Sequence, residues 1–327
     1  MPLSRKPFQR RLKPLPHQQE PVKLTRQERW GQIWGWLLLT TTVGLLLSLL
    51  PEYWAHRGGD PQQPVAANQG TPLWRSGFEQ GLPGEWRSRP GGMEPSLGTA
   101  SHQSTSGKIL GKQEAQTQGV SVPQGNYLYQ AQITAPTARP HRAGPVLAME
   151  MVNPAYFSRP PKPLVNQFYV WVDWDNLSLS SQDWLNLVTL ANNETGVGVS
   201  LRVRGPKNQL ELVEAGSQGG FEQGDGWEVI APTESVNLPL RRWVKLTILV
   251  DYERPLLVVW LDDVPIFRAN GGRLQPQAQS SPYLWRAHWG LTGAARVKKA
   301  RVYNDDIRIW ALPEPLRAIA SPPTPPP

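Results

Sequence analysis

Between Tyr127 and Trp310 the chain is a series of short apolar or alternating segments divided by clusters of Gly, Pro, Asn and Asp, a pattern that suits strands and little else. The clearest segments are Tyr127–Thr134, Val146–Val152, Gln167–Trp174, Trp184–Leu190, Val197–Arg204, Gln209–Val213, Trp243–Tyr252, Leu256–Asp262, Tyr283–Leu291, Lys298–Tyr303 and Ile307–Trp310. The breaks between them are turn-forming, as in PKN at Pro206 to Asn208 and YERP at Tyr252 to Pro255. No amphipathic helix longer than two turns interrupts the series. Nor is there a repeat of about 20–50 residues, which argues against a propeller or a solenoid. Many antiparallel strands at this spacing predict an all-β, two-sheet antiparallel jelly-roll sandwich.

A second constraint lies upstream. Trp30 to Pro51 contains no charged residue, and its centre, Ile33 to Leu50, reads IWGWLLLTTTVGLLLSLL. At about 1.5 Å per residue this run reaches roughly the 30 Å of a bilayer's hydrocarbon core, which predicts one transmembrane helix over residues 30–51. Arg5, Lys6, Arg10, Arg11, Lys13, Lys23, Arg26 and Arg29 precede it and only Glu20 and Glu28 oppose them, so the tail holds +6 of the chain's net +8. The positive-inside rule then predicts a single-pass cell-membrane protein with its N-terminus cytoplasmic and its larger part periplasmic or extracellular. Trp30, Trp34 and Trp36 on one side and Tyr53 and Trp54 on the other suit an aromatic belt. A cleaved signal peptide is the competing reading, but the small residues Val65 to Ala67 lie far beyond Leu50 and the apolar run is long for a signal core.

This placement of charge also excludes a nucleic-acid partner. The basic excess lies beside the membrane, where anionic headgroups are the nearer partner at about 1 kcal/mol per basic residue. Zero cysteines exclude disulfides, thiolate metal sites and a cysteine nucleophile. The expected organisation is a disordered basic tail at 1–29, the helix at 30–51, a flexible spacer at 52–72, one sandwich domain at 73–313 and a proline-rich end at 314–327.

Three stretches carry a family likeness. WRSGFEQGLPGEW at Trp74 to Trp86 resembles the opening strand and turn of exported jelly-roll carbohydrate-binding modules, and VYNDDIRIW at Val302 to Trp310 resembles their closing strand. RRWVKLTILVDYERPLLVVWLDDVPIFRA at Arg241 to Ala269 resembles the central hairpin of concanavalin A-like lectin and laminin G-like domains. The resemblance implies a concanavalin A-like fold, which hosts lectins, glycosidases, polysaccharide lyases and structural modules alike. It also implies a structural calcium ion. In such modules the opening Glu and the closing Asp meet at the ion, and Glu79 and Asp305 stand at the matching positions, with Asp306 next to Asp305. Carbonyls near Gly81 and waters would have to complete its six to eight oxygens. The alternative is that Asp305 caps a turn and Glu79 is a solvated edge residue.

The departures from that likeness lower the expectation of catalysis. Laminarinase-like hydrolases of this fold present a Glu-x-Asp-x-x-Glu strand, because retaining cleavage needs two carboxyls about 5 Å apart. Here the nearest acidic strand, WVDWDN at Trp171 to Asn176, offers Asp173 and Asp175 without the third carboxylate. The Gln-x-His pair and Tyr-x-Lys strand of alginate-lyase-like members are also missing, as are HExxH, Gly-x-Ser-x-Gly and phosphate-cradling loops.

Alternation sorts the polar residues of the apolar strands onto one face. Tyr169, Trp171 and Asp173 oppose Phe168, Val170 and Val172; Arg202 and Arg204 oppose Leu201 and Val203; Arg286 and His288 alternate with Ala287 and Trp289; Glu150 alternates with Met149 and Met151. If these strands neighbour one another on one curved sheet, Glu150, Tyr169, Trp171, Asp173, Arg202, Arg204, Arg286 and His288 line its concave side. Rings would stack on sugars, and charged forks would bond hydroxyls or uronate carboxylates. The competing reading makes the aromatics packing residues and the charges cross-strand pairs. The expected function is non-catalytic binding of a polysaccharide or cell-envelope glycan by a membrane-anchored external domain. Two alternatives stay open: a lyase or hydrolase with a divergent site, in which an arginine neutralises a uronate and His288 or Tyr169 moves the proton, and a module that docks a protein partner.

Overall fold

The computed structural model describes residues 70–81, 104–138, 140–148, 162–174, 180–192, 197–215, 227–230, 236–252, 254–270, 284 and 286–313. The expected tail, transmembrane run and proline-rich end, and Glu150, lie outside these residues. Among the described residues no helix is long and apolar enough to cross a membrane. The described part falls within one compact unit, Ala66–Pro327.

Among the described residues, fifteen strands and one short helix follow in order: β1 Thr71–Ser76, β2 Thr105–Gly111, α1 Lys112–Thr117, β3 Tyr127–Ile133, β4 His141–Ala143, β5 Val146–Ala148, β6 Leu164–Trp174, β7 Trp184–Ala191, β8 Gly198–Arg204, β9 Gln209–Ala215, β10 Trp227–Val229, β11 Trp243–Asp251, β12 Leu256–Leu261, β13 Val264–Asn270, β14 Arg286–Gly293 and β15 Ala300–Ala311. They form two antiparallel sheets. The first runs β13-β12-β11-β6-β15-β3-β2, with β1 also on β15; the second runs β10-β9-β8-β7-β14-β4, with β5 also on β14. The expected all-β, two-sheet antiparallel sandwich is what the chain forms.

Period-2 alternation builds the core. Phe168, Val170, Val172 and Trp174 of β6 and Leu246 and Ile248 of β11 meet Leu185 and Leu187 of β7, Leu201 and Val203 of β8, and Trp289 and Leu291 of β14 in one buried cluster between the sheets. Trp74 of β1 stacks on Trp289 with ring centroids 5.7 Å apart, joining an edge strand of the first sheet to β14 of the second.

The structure corrects the expected elements at several points. Lys298–Tyr303 and Ile307–Trp310 are not two strands but parts of β15, because Asp305 and Asp306 make a bulge instead of a turn. Asp306 takes φ +42° there, and the register against β6 slips between Asp305 and Arg308. On its other edge β15 pairs with β3 before the bulge and with β1 after it. Strand β1 begins at Thr71, inside the expected spacer, and tolerates Pro72 because it is an edge strand. Strands β2, β4, β10 and β13 and helix α1 carried no clear periodic signal, being short or largely polar.

Both ends of the first sheet's outer face are closed by apolar side chains. Val165, Leu249, Leu256, Val258, Trp260, Trp310 and Leu312 form one cluster, none more than 8% exposed. Leu110, Ala115, Val120, Leu128, Trp171 and Tyr303 form the other, with α1 and the turn after it contributing Ala115 and Val120.

Candidate functional site

The residues expected to share one surface divide between two. Tyr169, Trp171 and Asp173 lie on β6 in the first sheet, whereas Arg202 and Arg204 lie on β8 and Arg286 and His288 on β14, both in the second. In each case the neighbouring residues of opposite parity fill the core between the sheets, so the two sets sit on opposite outer faces of the sandwich. Alternation had identified the outward positions correctly but could not say which sheet a strand joins. In particular, Tyr169 and His288 cannot serve one reacting group from these positions.

On the first sheet the polar residues are structural. Trp171 is 7% exposed, meets Tyr303 edge-on at 5.0 Å, and so offers no ring for a sugar to stack on. The lid above it is held by hydrogen bonds, with Trp243 Nε1 donating to the Ser121 carbonyl at 2.6 Å and the Tyr303 hydroxyl donating to Gln118 Oε1 at 2.8 Å. Asp173 faces Arg301, its register partner, at 2.7 Å and Arg241 at 2.9 Å. Burial alone would raise its pKa, but hydrogen bonds and charge from the two arginines prevail and hold it low. Tyr169 is half-buried opposite Lys245 and Asp305.

The outer face of the second sheet is different. Register places Arg142, Thr292, Asn186, Arg202 and Glu211 in one row across β4, β14, β7, β8 and β9. A neighbouring row holds Val146, His288, Thr189, Ser200 and Val213, and a third holds Arg286, Ala191 and Gly198. At about 4.8 Å per strand, a row of five spans roughly 19 Å. Asn186, Thr189, Ser200, Arg202, His288 and Thr292 are buried and make a polar floor. Arg142, Arg204, Glu211 and Arg286 are only partly buried and stand at its margins. Of these, Arg142, Asn186, Thr189, Ser200, Glu211 and Thr292 were missed in the sequence. Glu211 could have been found, because it alternates with Leu210 and Leu212, but Arg142 sits in a three-residue strand too short to show a period.

Charge on this floor is arranged around arginine. Glu211 accepts from Arg202 at 2.7 Å and lies 2.9 Å from Arg204, so its single negative charge answers two positive ones. Burial lowers the pKa of Arg202 and Glu211 works against that, with Arg204 adding to the depression. Hydroxyls are satisfied internally: Thr189 Oγ1 and Ser200 Oγ are 3.1 Å apart, and Ser200 donates to the Val188 carbonyl at 2.8 Å. His288 is held neutral, its pKa lowered to about 3 by burial first and then by the charges of Arg142 and Arg286. The partly buried arginines at the margins of this floor, Arg142, Arg204 and Arg286, are its groups within reach of hydroxyls and anions. The surface brings together no pair of carboxylates for general acid and base work among the described residues.

Glu79 and Asp305 do converge, on the segment Gln124 to Tyr127. Glu79 Oε1 accepts from the Asn126 and Tyr127 amides at 2.8 and 3.1 Å; Asp305 accepts from the Gln124 amide at 3.0 Å and from the Asp306 amide at 2.7 Å. Asp306 pairs with Arg75 at 3.1 Å and Arg308 at 2.8 Å. Calcium needs six to eight oxygens, whereas the groups gathered here are N–H donors and guanidiniums. This donor set fits a hydrogen-bonded bulge that pins a loop, and does not fit a calcium shell. Burial, followed by the nearby charges of Asp306 and Glu79, pushes Asp305 up to about 7 against the opposing amides.

No protein-family profile matches the chain, and no curated protein is similar to it. Solved structures of similar shape include the catalytic domain of a glycoside hydrolase family 131 protein from Coprinopsis cinerea, with 10% identity, a TM-score of 0.43, and coverage of 77% of this chain and 98% of that one. A family 66 carbohydrate-binding module from Bacillus subtilis matches at 11% identity and a TM-score of 0.30, over 56% of this chain and 82% of its own. The receptor-binding domain of botulinum neurotoxin type G matches at 10% identity and a TM-score of 0.39 over 76% of this chain. The match spans about half, 49%, of that toxin domain's length.

Proposed function

We propose that this chain is a non-catalytic carbohydrate-binding protein, a concanavalin A-like sandwich tethered to the cell membrane by residues 30–51 with its N-terminus cytoplasmic and the sandwich outside. Its binding surface is the outer face of the second sheet. The observation that carries this reading is the contrast between the two outer faces. Hydrophobic clusters close the first, while the second presents ordered polar rows with arginines at their margins. Strand spacing sets those donors at regular intervals across the sheet, which suits an extended polymer of hydroxyl-bearing rings better than a flat apolar partner surface.

The test is binding of the full-length chain, purified in detergent, to an array of neutral and acidic polysaccharides. Arg204→Gln on the second sheet is expected to weaken binding about tenfold, and Lys245→Ala on the first to leave it unchanged. Absence of binding to every glycan by a chain that melts cooperatively would sink the glycan reading and favour a docking module. Equal loss in both variants would sink the choice of face.

A further inference from the structure

We infer that Arg142, His288 and Arg286 form a subsite for the carboxylate of an acidic sugar, so that the glycan bound is anionic. This inference rests on reading the second sheet's outer face as the glycan surface. Its basis is the way two strands, β4 and β14, bring these residues together. Arg286 and His288 are two residues apart on the same face of β14, about 7 Å along the strand. Arg142 reaches the same place from β4, because its register partner is Thr292, whose hydroxyl lies 3.5 Å from His288 Nδ1. The bulge between Trp289 and Thr292 makes that closeness possible, and Gly290 takes φ +95° there. Its backbone lies so close to β4 that a Cβ would stand 2.5 Å from the Ala143 carbonyl oxygen.

His288 is what turns this from a surface feature into a site. The side chain is 6% exposed, yet among the described residues its Nε2 has no hydrogen-bond partner. A buried nitrogen without a partner destabilises the fold, and binding of a suitable group would remove that penalty. Where the Thr292 hydroxyl donates to Nδ1, 3.5 Å away, the proton lies on Nε2, which is then a donor; an anion at Nε2 selects that tautomer. The Arg142 and Arg286 charges act on the same ring, and their effect is to keep it neutral. A neutral N–H donor between two guanidiniums has no use for a cation and little selectivity for a hydroxyl. It suits a planar anion, whose two oxygens take the forked donors of arginine while the imidazole supplies one more.

Three probes separate the outcomes: a polyuronate oligosaccharide, the same oligosaccharide with its carboxyls reduced to alcohols, and a sialylated oligosaccharide. With the full-length chain, at least one acidic probe is expected to bind tenfold or more tightly than the reduced one. Arg142→Gln and Arg286→Gln are each expected to remove about tenfold of that affinity and a clearly smaller factor of the affinity for the reduced probe. Arg286→Lys should recover part of it. Whether the uronate or the sialylated probe responds identifies the source of the carboxylate. Equal affinity for the uronate and its reduced form, unchanged in the variants, would overturn the carboxylate subsite while leaving glycan binding intact. Failure of all three probes and of every neutral glycan to bind would overturn both. Melting curves of each variant show whether any loss comes from unfolding.

Discussion

Replacing Trp289 with alanine is expected to destabilise the sandwich by about 3–5 kcal/mol, a large share of the roughly 5–15 kcal/mol that holds a domain together. Trp289 is fully buried on β14 of the second sheet and stacks on Trp74, which belongs to β1 on the first. Truncation therefore removes the ring's own burial, the stack, and the tie between an edge strand of one sheet and the core of the other. On the Trp289 side the cavity is lined by β14, which is hydrogen-bonded to β7 on one side and to β4 and β5 on the other, so that strand cannot readily collapse into it. Val264→Ala is the control, because Val264 is 61% exposed and its loss should cost less than about 0.5 kcal/mol. Chemical unfolding of the two variants against the parent chain measures the difference. A loss below about 1 kcal/mol for Trp289→Ala would mean that the two sheets do not pack as described.

The second large effect is on pH, and it is concealed in the parent chain by two groups of opposite sign. Burial and the charges of Asp306 and Glu79 raise Asp305 from 3.8 to about 7, so folding favours its protonated form. Its contribution to stability is fully present below pH 3.8 and is lost as pH rises through 7. His288 is lowered from 6.5 to about 3 by burial, Arg142 and Arg286, so folding favours its neutral form. Its contribution is fully present above pH 6.5 and is lost as pH falls toward 3. Each shift is worth on the order of 4 kcal/mol across its window, and between about pH 4 and 6.5 the slopes oppose each other. Tm of the parent chain is expected to change little over that range. His288→Gln should leave a chain that loses stability as pH rises, and Asp305→Asn one that gains it. Profiles parallel to the parent in both variants would contradict the account of these two buried groups. Added calcium is expected to change nothing, since an ion on Asp305 would charge the group and abolish its slope.

Much of this was legible in the residue pattern, and the remainder failed for identifiable physical reasons. The strands β6, β8, β11 and β14 were readable because each repeats core-facing apolar residues at every second position over most of its length. The period assigns a side chain to a face but not a strand to a sheet, and this is why Asp173 and Arg202 were expected together and lie on opposite sides. Trp171 was read correctly as facing away from the inter-sheet core. Its cover is α1, whose sequence KQEAQT contributes a single buried alanine and gives no warning that a ring lies beneath it. Asp305 and Asp306 carry the composition of a turn, and only the change of partner from β3 to β1 shows that they are a bulge. The subsite around His288 depends on a glycine bulge and on a three-residue strand, neither of which has a period to detect.

The central claim is that the second sheet's outer face, and not the first's, meets the glycan. Hydrogen exchange of the full-length chain in detergent, read by mass spectrometry with and without an excess of a bound oligosaccharide, tests it without any substitution. The account predicts added protection in peptides covering 184–192, 198–204 and 286–293, with none in 243–261. Protection confined to 243–261, with the β7, β8 and β14 peptides unchanged, would contradict it.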